Sequence, residues 1–427
     1  MSSIAVTQKQ IPNPAPPRHI AAWVLSALIL VAIYGGSPNF RFSDTSDNTP
    51  FGGDFLQEWI GGYLVQNGEL SRSFEPSYIQ SLQHDTTLVG FHWDESKYLP
   101  IVYPPFYYLL VSPLSYLPLT AAAWVWATCL VMCHVMGIRL LSRAVRLDCR
   151  PSHRLDGLLP WLLPLSLLFV PVVNGLTSSQ KSSVCLGILA GTYWLLATKR
   201  PARAGILFGL LAFKPQLMVI IAICMAAKKQ WRFILGATTM VSLLCFMSIL
   251  FGWDVCIRYV QFATSALHYI ETPGYDQTKS HCLLGFFTLL LGGRASGLTL
   301  GLTLITTLGI VFLLIKLLAG KLQPTSPLFK LQFSGLVLAT VLLSPHLLTY
   351  DLVLLIVPFC LIIGVLLNNR LTLQQHPNRL QWGLLVLFLA AGVSHAIAAI
   401  THVQITVILM AALLAQLTAI ALDSENE

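Results

Sequence analysis

The sequence predicts an all-α polytopic membrane protein, and three features support that prediction. Of the 427 residues, 55% are hydrophobic and only 10% are charged, whereas soluble domains carry about 25% charged residues. The mean hydropathy of +0.70 means that the chain has more apolar side chains than a single core can enclose. Apolar runs recur along the whole chain, many of them close to the roughly 20 residues that cross a bilayer as a helix. These features exclude an ordinary soluble enzyme.

The apolar runs leave room for about 10–12 transmembrane helices of typical length. They cover residues 20–34, 103–117, 120–141, 156–173, 183–197, 204–227, 233–251, 295–318, 331–345, 350–367, 381–400 and 403–421. If every run crosses, both termini are cytoplasmic, but the basic stretch 139–154 lies outside, against the positive-inside rule. In a ten-crossing alternative, 103–118 dips into the membrane and returns, and 204–227 forms a hairpin bent near Lys214 and Pro215.

The chain is predicted to form one domain with short tails. Residues 1–18, with four prolines, are expected to be a disordered cytoplasmic tail. Residues 19–422 form a single transmembrane domain, followed by a second cytoplasmic tail at 423–427. The loop 36–102 holds nine of the 18 acidic residues and three basic ones, so we expect it outside the cytoplasm, with short helices along the membrane surface.

The net charge of +8 does not indicate a nucleic-acid-binding protein. The basic residues lie in short connections between apolar runs rather than in one stripe, a distribution typical of cytoplasmic loops. The nine cysteines show no pair with metal-ligand spacing. No phosphate-binding glycine loop or serine-hydrolase motif is found. We therefore expect no metal, no cofactor and no nucleic-acid partner.

Asp54 is the first candidate for chemistry. It follows two glycines at the start of the amphipathic segment DFLQEWIGGYL, where an aspartate can cap a helix. Alternatively, a carboxylate held among aromatic side chains can act as a general base on a substrate hydroxyl. Glu58 lies one helical turn further on and is predicted to share the same face.

An aromatic segment follows the acidic loop. Tyr103 opens the run YPPFYY, which is consistent with a helix start and an interfacial aromatic belt. Alternatively, these rings line a sugar or lipid site beside the loop.

Lys214 lies deep in an apolar run, where a lysine costs about 2.5 to 3.5 kcal/mol on insertion scales. A charge within the membrane suggests a functional site, although a lysine can also extend to the interface. The neighbouring Pro215 breaks the helix. Together with Gln216, these residues predict a polar cavity for an anionic head group.

Further polar side chains lie between predicted spans. In SPHLLTYD, His346 and Tyr350 are expected at the same membrane level as Asp54, where the imidazole can contact a phosphate or a sugar hydroxyl. A structural histidine at a helix junction remains the alternative. Gln180, next to Lys181, and His281, two residues after Lys279, form polar islands, each of which taken alone is typical of a solvated loop.

The order of these segments resembles glycosyltransferase family 87, which includes mycobacterial mannosyltransferases. The resemblance covers residues 20 to 420 and rests on Asp54 in the first loop, YPPFYYLLVSPLSYLP, SSQKSS, FKPQL with the following KKQWR, and SPHLLTYD. Two segments differ from the pattern of the family: Ser179-Gln180-Lys181, and Ser280-His281-Cys282-Leu283.

The resemblance implies a GT-C fold, twelve crossings and a membrane transferase. A hexose, with mannose as first candidate, would pass from a polyprenyl-phosphate donor to a lipid or glycan acceptor, with inversion, on the outer face of a bacterial inner membrane. It implies that Asp54 is the general base and that His346 and Lys214 match the later histidine and lysine of the family. Substrate contacts are expected from a wider set: Glu58, Tyr103, Gln180, Lys214, Gln216, His281 and Tyr350.

Two other functions are compatible with much of the sequence. A transporter or lipid flippase also buries a lysine and lines a path with aromatic rings, but it predicts paired broken helices in two repeated halves, and no such repeat is evident. A membrane polysaccharide polymerase is the third candidate.

Overall fold

The computed structural model describes residues 16–41, 49–147, 153–265, 276–294, 296–368 and 377–425. Most of the two tails predicted at 1–18 and 423–427 lies outside these residues. The described part is built from α-helices and short 3-10 helices, and it contains no strand. This confirms the all-α polytopic class predicted from composition.

The first third of the chain contains one long apolar helix, a loop with short helices, and a second long helix. The helices are α1 (Pro16–Gly36), α2 (Phe55–Gln66), α3 (Pro76–Gln83), α4 (Thr86–Val89), α5 (Pro105–Val111) and α6 (Leu119–Arg146), with 3-10 helices at Pro38–Phe40, Leu70–Phe74 and Ser112–Tyr116.

The middle of the chain is more broken, as its prolines require. It contains α7 (His153–Leu158), α8 (Leu162–Leu167), α9 (Val170–Thr177), α10 (Ser182–Ala197), α11 (Pro201–Gly209), α12 (Val219–Ala227), α13 (Trp231–Ile249) and α14 (Trp253–Ser265), with 3-10 helices at Leu159–Trp161, Leu210–Phe213 and Pro215–Leu217.

The last third returns to long helices. They are α15 (Leu283–Leu290), α16 (Gly297–Leu317), α17 (Pro327–Leu343), α18 (Ile356–Asn368), α19 (Pro377–Thr401) and α20 (Ile405–Glu425), with 3-10 helices at Gln277–Lys279 and Thr349–Leu355.

Helix α2 is buried more deeply than a helix lying on a membrane surface. Its residues Phe55, Leu56 and Ile60 are fully buried because it packs against α5 and the following 3-10 helix. Two glycines make this approach possible: a side chain at Gly61 would collide with the ring of Tyr108, and one at Gly62 with Ser115. This helix of the acidic loop is therefore part of the packed core.

Seven of the described helices are long and apolar enough to cross a membrane. The pair Asp156–Leu167 and Val170–Thr177, bent by 53°, passes the same test as a broken span or a re-entrant loop. The shorter apolar helices α10 and α17, of 16 and 17 residues, connect the same two ends of the bundle. Helix α5 has seven residues, or about 10 Å at 1.5 Å per residue, so the run 103–117 does not cross.

The segment 201–227 reverses direction at Lys214. Helix α11 packs against α13 in parallel, since Gly205 lies against the carbonyl oxygen of Phe233 and Gly209 lies against Met240. Parallel packing means that α11 and α13 begin at the same end of the bundle. Helix α12, between them in sequence, must therefore return to that end, and 201–227 forms a hairpin with Lys214 at its tip.

The two ends of the bundle differ in charge. We call the end that holds Asp54, Ser179 and Asp351 the acidic end, and the end that holds Arg139 and Arg143 the basic end. Helix α6 links them: Trp126 donates to the carbonyl oxygen of Ser179 over 3.0 Å, and Arg146 lies 20 residues, or about 30 Å, further along the helix.

The other basic connections meet at the basic end. Lys228, after α12, donates to the carbonyl oxygen of Gly320, after α16, over 3.1 Å. Helices α11 and α12 also run between the two ends, because Lys214 at the tip of the hairpin binds Asp351 at the acidic end. The number of crossings, ten or twelve, stays a prediction, and the structure keeps the basic connections together.

The close packing of α11 and α13 gives a prediction. Gly205→Val places a side chain against the backbone of Phe233, and overpacking typically costs about 1–3 kcal/mol. We expect its unfolding midpoint in mixed micelles to fall below that of Gly301→Val, a control in a long helix with no neighbouring atom within 4 Å of the added group. Equal midpoints for the two variants would contradict this packing.

Candidate active site

The turn between α9 and α10 organises the acidic end. Ser179 adopts a left-handed conformation with φ of 57°, and the next three residues each meet a carboxylate from a distant part of the chain. Gln180 binds Asp54, Lys181 binds Glu58, and Ser182 binds Asp351. Gln180 and Lys181 are 3% and 1% exposed, so the expectation of a solvated loop is wrong for this island.

Asp54 is held at the start of α2 by its backbone. Gly52 and Gly53 have φ of 77° and 60°, which glycine adopts without strain, and the N–H of Asp54 donates to the carbonyl oxygen of Ser178 over 3.2 Å. Its side chain makes no capping hydrogen bond to α2. The helix-cap alternative therefore does not explain this aspartate.

Asp54 is a half-buried residue, and its carboxylate is electrostatically coupled to its surroundings. Its Oδ2 accepts a hydrogen bond from the Gln180 amide, which leaves Oδ1 as the atom that can receive a proton. Enclosure by protein raises the pKa of Asp54 above its usual range, against the opposing effects of Lys181, Gln180, Lys279 and Lys214. The carboxyl thus becomes a stronger base than a fully solvated aspartate.

Glu58 and Lys181 form a fully buried ion pair. Their side chains are 0% and 1% exposed, and the Lys181 ammonium lies 4.0 Å from the ring centroid of Tyr103. A charge in this environment is tolerated only when it is paired. Glu58 therefore fixes Lys181 beside Asp54, and Tyr103, 7% exposed, forms one wall of the cluster.

Lys214, at the tip of the hairpin, reaches the same cluster. Its Nζ lies 2.7 Å from Oδ1 of Asp351, and both side chains are 7% exposed. The same oxygen accepts a hydrogen bond of 3.0 Å from Ser182. The ammonium also lies 5.4 Å from the ring centroid of Tyr350. Lys214 is therefore paired within the protein and does not extend to an interface.

His346 lies half-buried in the turn between α17 and the 3-10 helix Thr349–Leu355. Burial lowers the pKa of its imidazole, and the charges of Asp351 and Lys214 act on it in opposite directions. His346 therefore lies within electrostatic reach of Lys214 and Asp351, and its contact with substrate stays a prediction. A neutral imidazole here can donate one hydrogen bond and accept another.

His281 is placed differently from the sequence-based expectation of a substrate contact. Its ring is fully buried, with Nδ1 2.7 Å from Thr406 Oγ1 and Nε2 3.0 Å from Thr349 Oγ1. Burial lowers its pKa to about 3, so the ring is neutral. Its backbone N–H donates to the carbonyl oxygen of Leu347. This geometry supports a positioning role for the turn that carries His346.

Gln216 follows the hairpin tip and is half-buried. The remaining members of the cluster are residues that sequence reasoning did not select: Lys181, Ser182, Lys279 and Asp351. The only signal for them was their position within two residues of a selected residue. Among the residues that the structure describes, no three His, Cys, Asp or Glu side chains converge to hold a metal, and the expectation of no metal stays a prediction.

Comparison with known proteins gives a family. The sequence profile of glycosyltransferase family 87 matches residues 101–345, more than half of the chain. Neither the curated proteins nor the solved structures contain a significant match. The matched range includes Gln180, Lys181 and Lys214. Gln180 contacts Asp54 and Lys214 contacts Asp351, and both of these carboxylates lie outside the matched range. The chain belongs to glycosyltransferase family 87, and the protein is a membrane glycosyltransferase.

Proposed function

We propose that the protein transfers a hexose, with mannose as first candidate, from a polyprenyl-phosphate donor to a hydroxyl of a lipid or glycan acceptor. The observation that supports it best is the carboxylate of the half-buried Asp54, fixed by Gln180 beside a pair of buried lysines. A carboxylate suits removal of the hydroxyl proton, and the ammonium N–H donors of Lys214 suit hydrogen bonding to a phosphate leaving group.

In the proposed step, Asp54 Oδ1 takes the proton of the acceptor hydroxyl as its oxygen attacks the anomeric carbon. The bond between that carbon and the phosphate oxygen breaks, its electron pair stays on the phosphate, and polyprenyl phosphate leaves. A single displacement inverts the anomeric configuration. Every atom and charge is accounted for without a further reactant.

The phosphate is assigned to the side of the cluster that carries Lys214 and His346. Lys214 is neutralised by Asp351, so its ammonium supplies local hydrogen-bond donors rather than a net positive field. A neutral His346 adds a further donor. Two further residues complete this proposed phosphate subsite: Tyr350, whose ring lies beside the Lys214 ammonium, and Gln216, which follows Lys214 by two positions in the chain.

A lipid-linked donor agrees with the surface next to Asp54. A groove of about 560 Å³ lies between α1 and the bent pair α8 and α9. Its walls are mainly apolar, with Ile29, Ile33 and Leu167 among them. Asn39 lies at one end and donates to the carbonyl oxygen of Thr177 over 2.9 Å, next to the turn that holds Asp54. An isoprenoid chain fits such a surface better than a free nucleotide would.

We assign the acidic end to the outer face of the membrane. The basic connections gather at the other end, and cytoplasmic loops carry an excess of lysine and arginine. Transfer on the outer face requires a donor that reaches that face, which a lipid-linked sugar does and a cytosolic nucleotide sugar does not.

The proposal is tested with the purified protein in proteoliposomes. We expect radiolabelled hexose to move from polyprenyl-phosphate hexose to a lipid or glycan acceptor, with mannose as the best donor and no transfer from nucleotide sugars. Transfer from nucleotide sugars alone would overturn the donor assignment. Movement of lipid across the bilayer without transfer to any acceptor would favour a flippase, and growth of a long glycan would favour a polymerase.

Gln180 provides a prediction about pH dependence. Because Asp54 acts unprotonated, transfer falls as pH drops through its pKa, and this fall occurs at higher pH than for an ordinary aspartate of pKa about 3.9. Gln180→Leu removes a hydrogen bond that lowers this pKa. We expect the acid limb of the profile of kcat/KM against pH to move to higher pH.

The control for this change is Gln261→Leu, at an exposed position of α14. Its acid limb is expected to coincide with that of the unmodified protein. A shift of the Gln180→Leu limb to lower pH, or no shift with unchanged kcat, would show that Gln180 does not act on the catalytic base.

A further inference from the structure

A second polar cavity lies at the basic end, far from the proposed reaction. It has a volume of about 290 Å³ and lies between α1, α6 and the segment that leads into α8. This volume is roughly ten times the share of one water molecule in the liquid. Since Arg139 and Arg143 lie about 20–25 Å from the turn at Ser179, measured along α6, the cavity is separate from the Asp54 cluster.

Three arginines of α6 line this cavity: Arg139, Arg143 and Arg146. Their spacing places them on one face of the helix. Arg146 pairs with Asp156 at 3.3 Å. Within the described ranges, no carboxylate lies in ion-pair distance of Arg139 or Arg143. The cavity therefore presents positive charge that the described residues do not neutralise.

Helix α1 supplies the facing wall. His19 and Trp23 line the cavity, and the Arg139 guanidinium lies 4.9 Å from the ring centroid of Trp23, a distance typical of a cation–π contact. Residues 1–43 contain no acidic side chain. The chain that enters α1 therefore adds no negative charge to this wall.

The floor of the cavity is apolar. Val135, Ile138, Leu159 and Leu163 line it below the arginines. The positive-inside rule explains why arginines lie at this end of the bundle, but it does not explain why they converge on a cavity with an apolar floor and an interfacial tryptophan. Such basic pockets between transmembrane helices suit phosphate head groups of lipids.

We propose that this cavity binds the head group of an anionic membrane phospholipid. The lipid phosphate lies between Arg139 and Arg143, which can each donate two hydrogen bonds to phosphate oxygens. The glycerol and the first part of an acyl chain lie on the apolar floor. The bound lipid bridges α1 to α6 and so joins the first crossing to the rest of the bundle.

The test is native mass spectrometry of the full-length protein titrated with phosphatidylglycerol in detergent. For Arg139→Gln with Arg143→Gln, we expect about 10- to 30-fold weaker binding, from the contribution of each basic residue near an anionic lipid. The matched control is Arg200→Gln with Arg203→Gln, at exposed arginines of the basic end outside the cavity. Its affinity is expected to equal that of the unmodified protein.

A second variant guards against misfolding of the charge variant. Ser142→Phe fills the half-buried position between the arginines without changing charge, and we expect it also to lose phosphatidylglycerol. If the double variant at Arg139 and Arg143 and the control at Arg200 and Arg203 lost phosphatidylglycerol affinity equally, the proposal would be overturned. Equal affinity for phosphatidylcholine would also overturn it, as would full displacement of the lipid by inorganic phosphate at low millimolar concentration, which would identify a free anion as the ligand.

Discussion

Asp54→Asn is expected to lower sugar transfer by about 10²- to 10⁴-fold, the contribution of a positioned general base. Asparagine retains the shape of the side chain but cannot take the acceptor proton. Its amide can still bond to Gln180 after that side chain turns, so the structure around Ser178 is expected to stay intact. The measurement is transfer from radiolabelled polyprenyl-phosphate mannose in reconstituted membranes.

The control is Asp254→Asn, at an exposed aspartate in the first turn of α14. We expect transfer by this variant to equal that of the unmodified protein. Both variants are expected to elute as the same folded species and to unfold at the same midpoint. If Asp54→Asn retained transfer within a factor of about three of the control, Asp54 would not be the base.

Lys181→Met is expected to destabilise the fold by about 3–5 kcal/mol, the cost of leaving one member of a buried ion pair unpaired. Glu58 would then keep its charge at 0% exposure with no counter-ion in contact. Adding Glu58→Gln removes that charge, so we expect the double variant to recover most of the loss. The free energies come from unfolding in mixed micelles of detergent and SDS.

A solvated ion pair supplies the comparison. Lys97 lies 3.2 Å from Asp94, and its side chain is 51% exposed, so Lys97→Met is expected to change stability by about 0–1 kcal/mol. If the stability losses of the Glu58 and Lys181 variants were additive, the two residues would not depend on each other. The buried ion pair would then not stabilise the cluster.

The membrane class and several site residues could be predicted from local sequence. A charge inside an apolar run is costly wherever the helix lies, so Lys214 was visible without knowledge of its partner. The break at Pro215 likewise indicated the hairpin. Asp54 stood out because a carboxylate follows two glycines at the start of an aromatic, helical segment.

The partners of these residues could not be predicted in the same way. Lys181 and Glu58 are 123 positions apart, and Lys214 and Asp351 are 137 apart, so no local pattern connects them. Which end of α11 meets α13 depends on tertiary packing at Gly205, and this contact defines the hairpin with Lys214 at its tip. The burial of His281 between two threonines was also determined by distant contacts.

The most direct test is a structure of the Asp54→Asn variant bound to intact polyprenyl-phosphate mannose. We predict that the donor phosphate lies within hydrogen-bond distance of Lys214 or His346. The anomeric carbon should face residue 54 across the space for an acceptor hydroxyl, and the isoprenoid chain should follow the groove between α1 and α8. A donor phosphate found at the basic end, or sugar density turned away from residue 54, would contradict the mechanism.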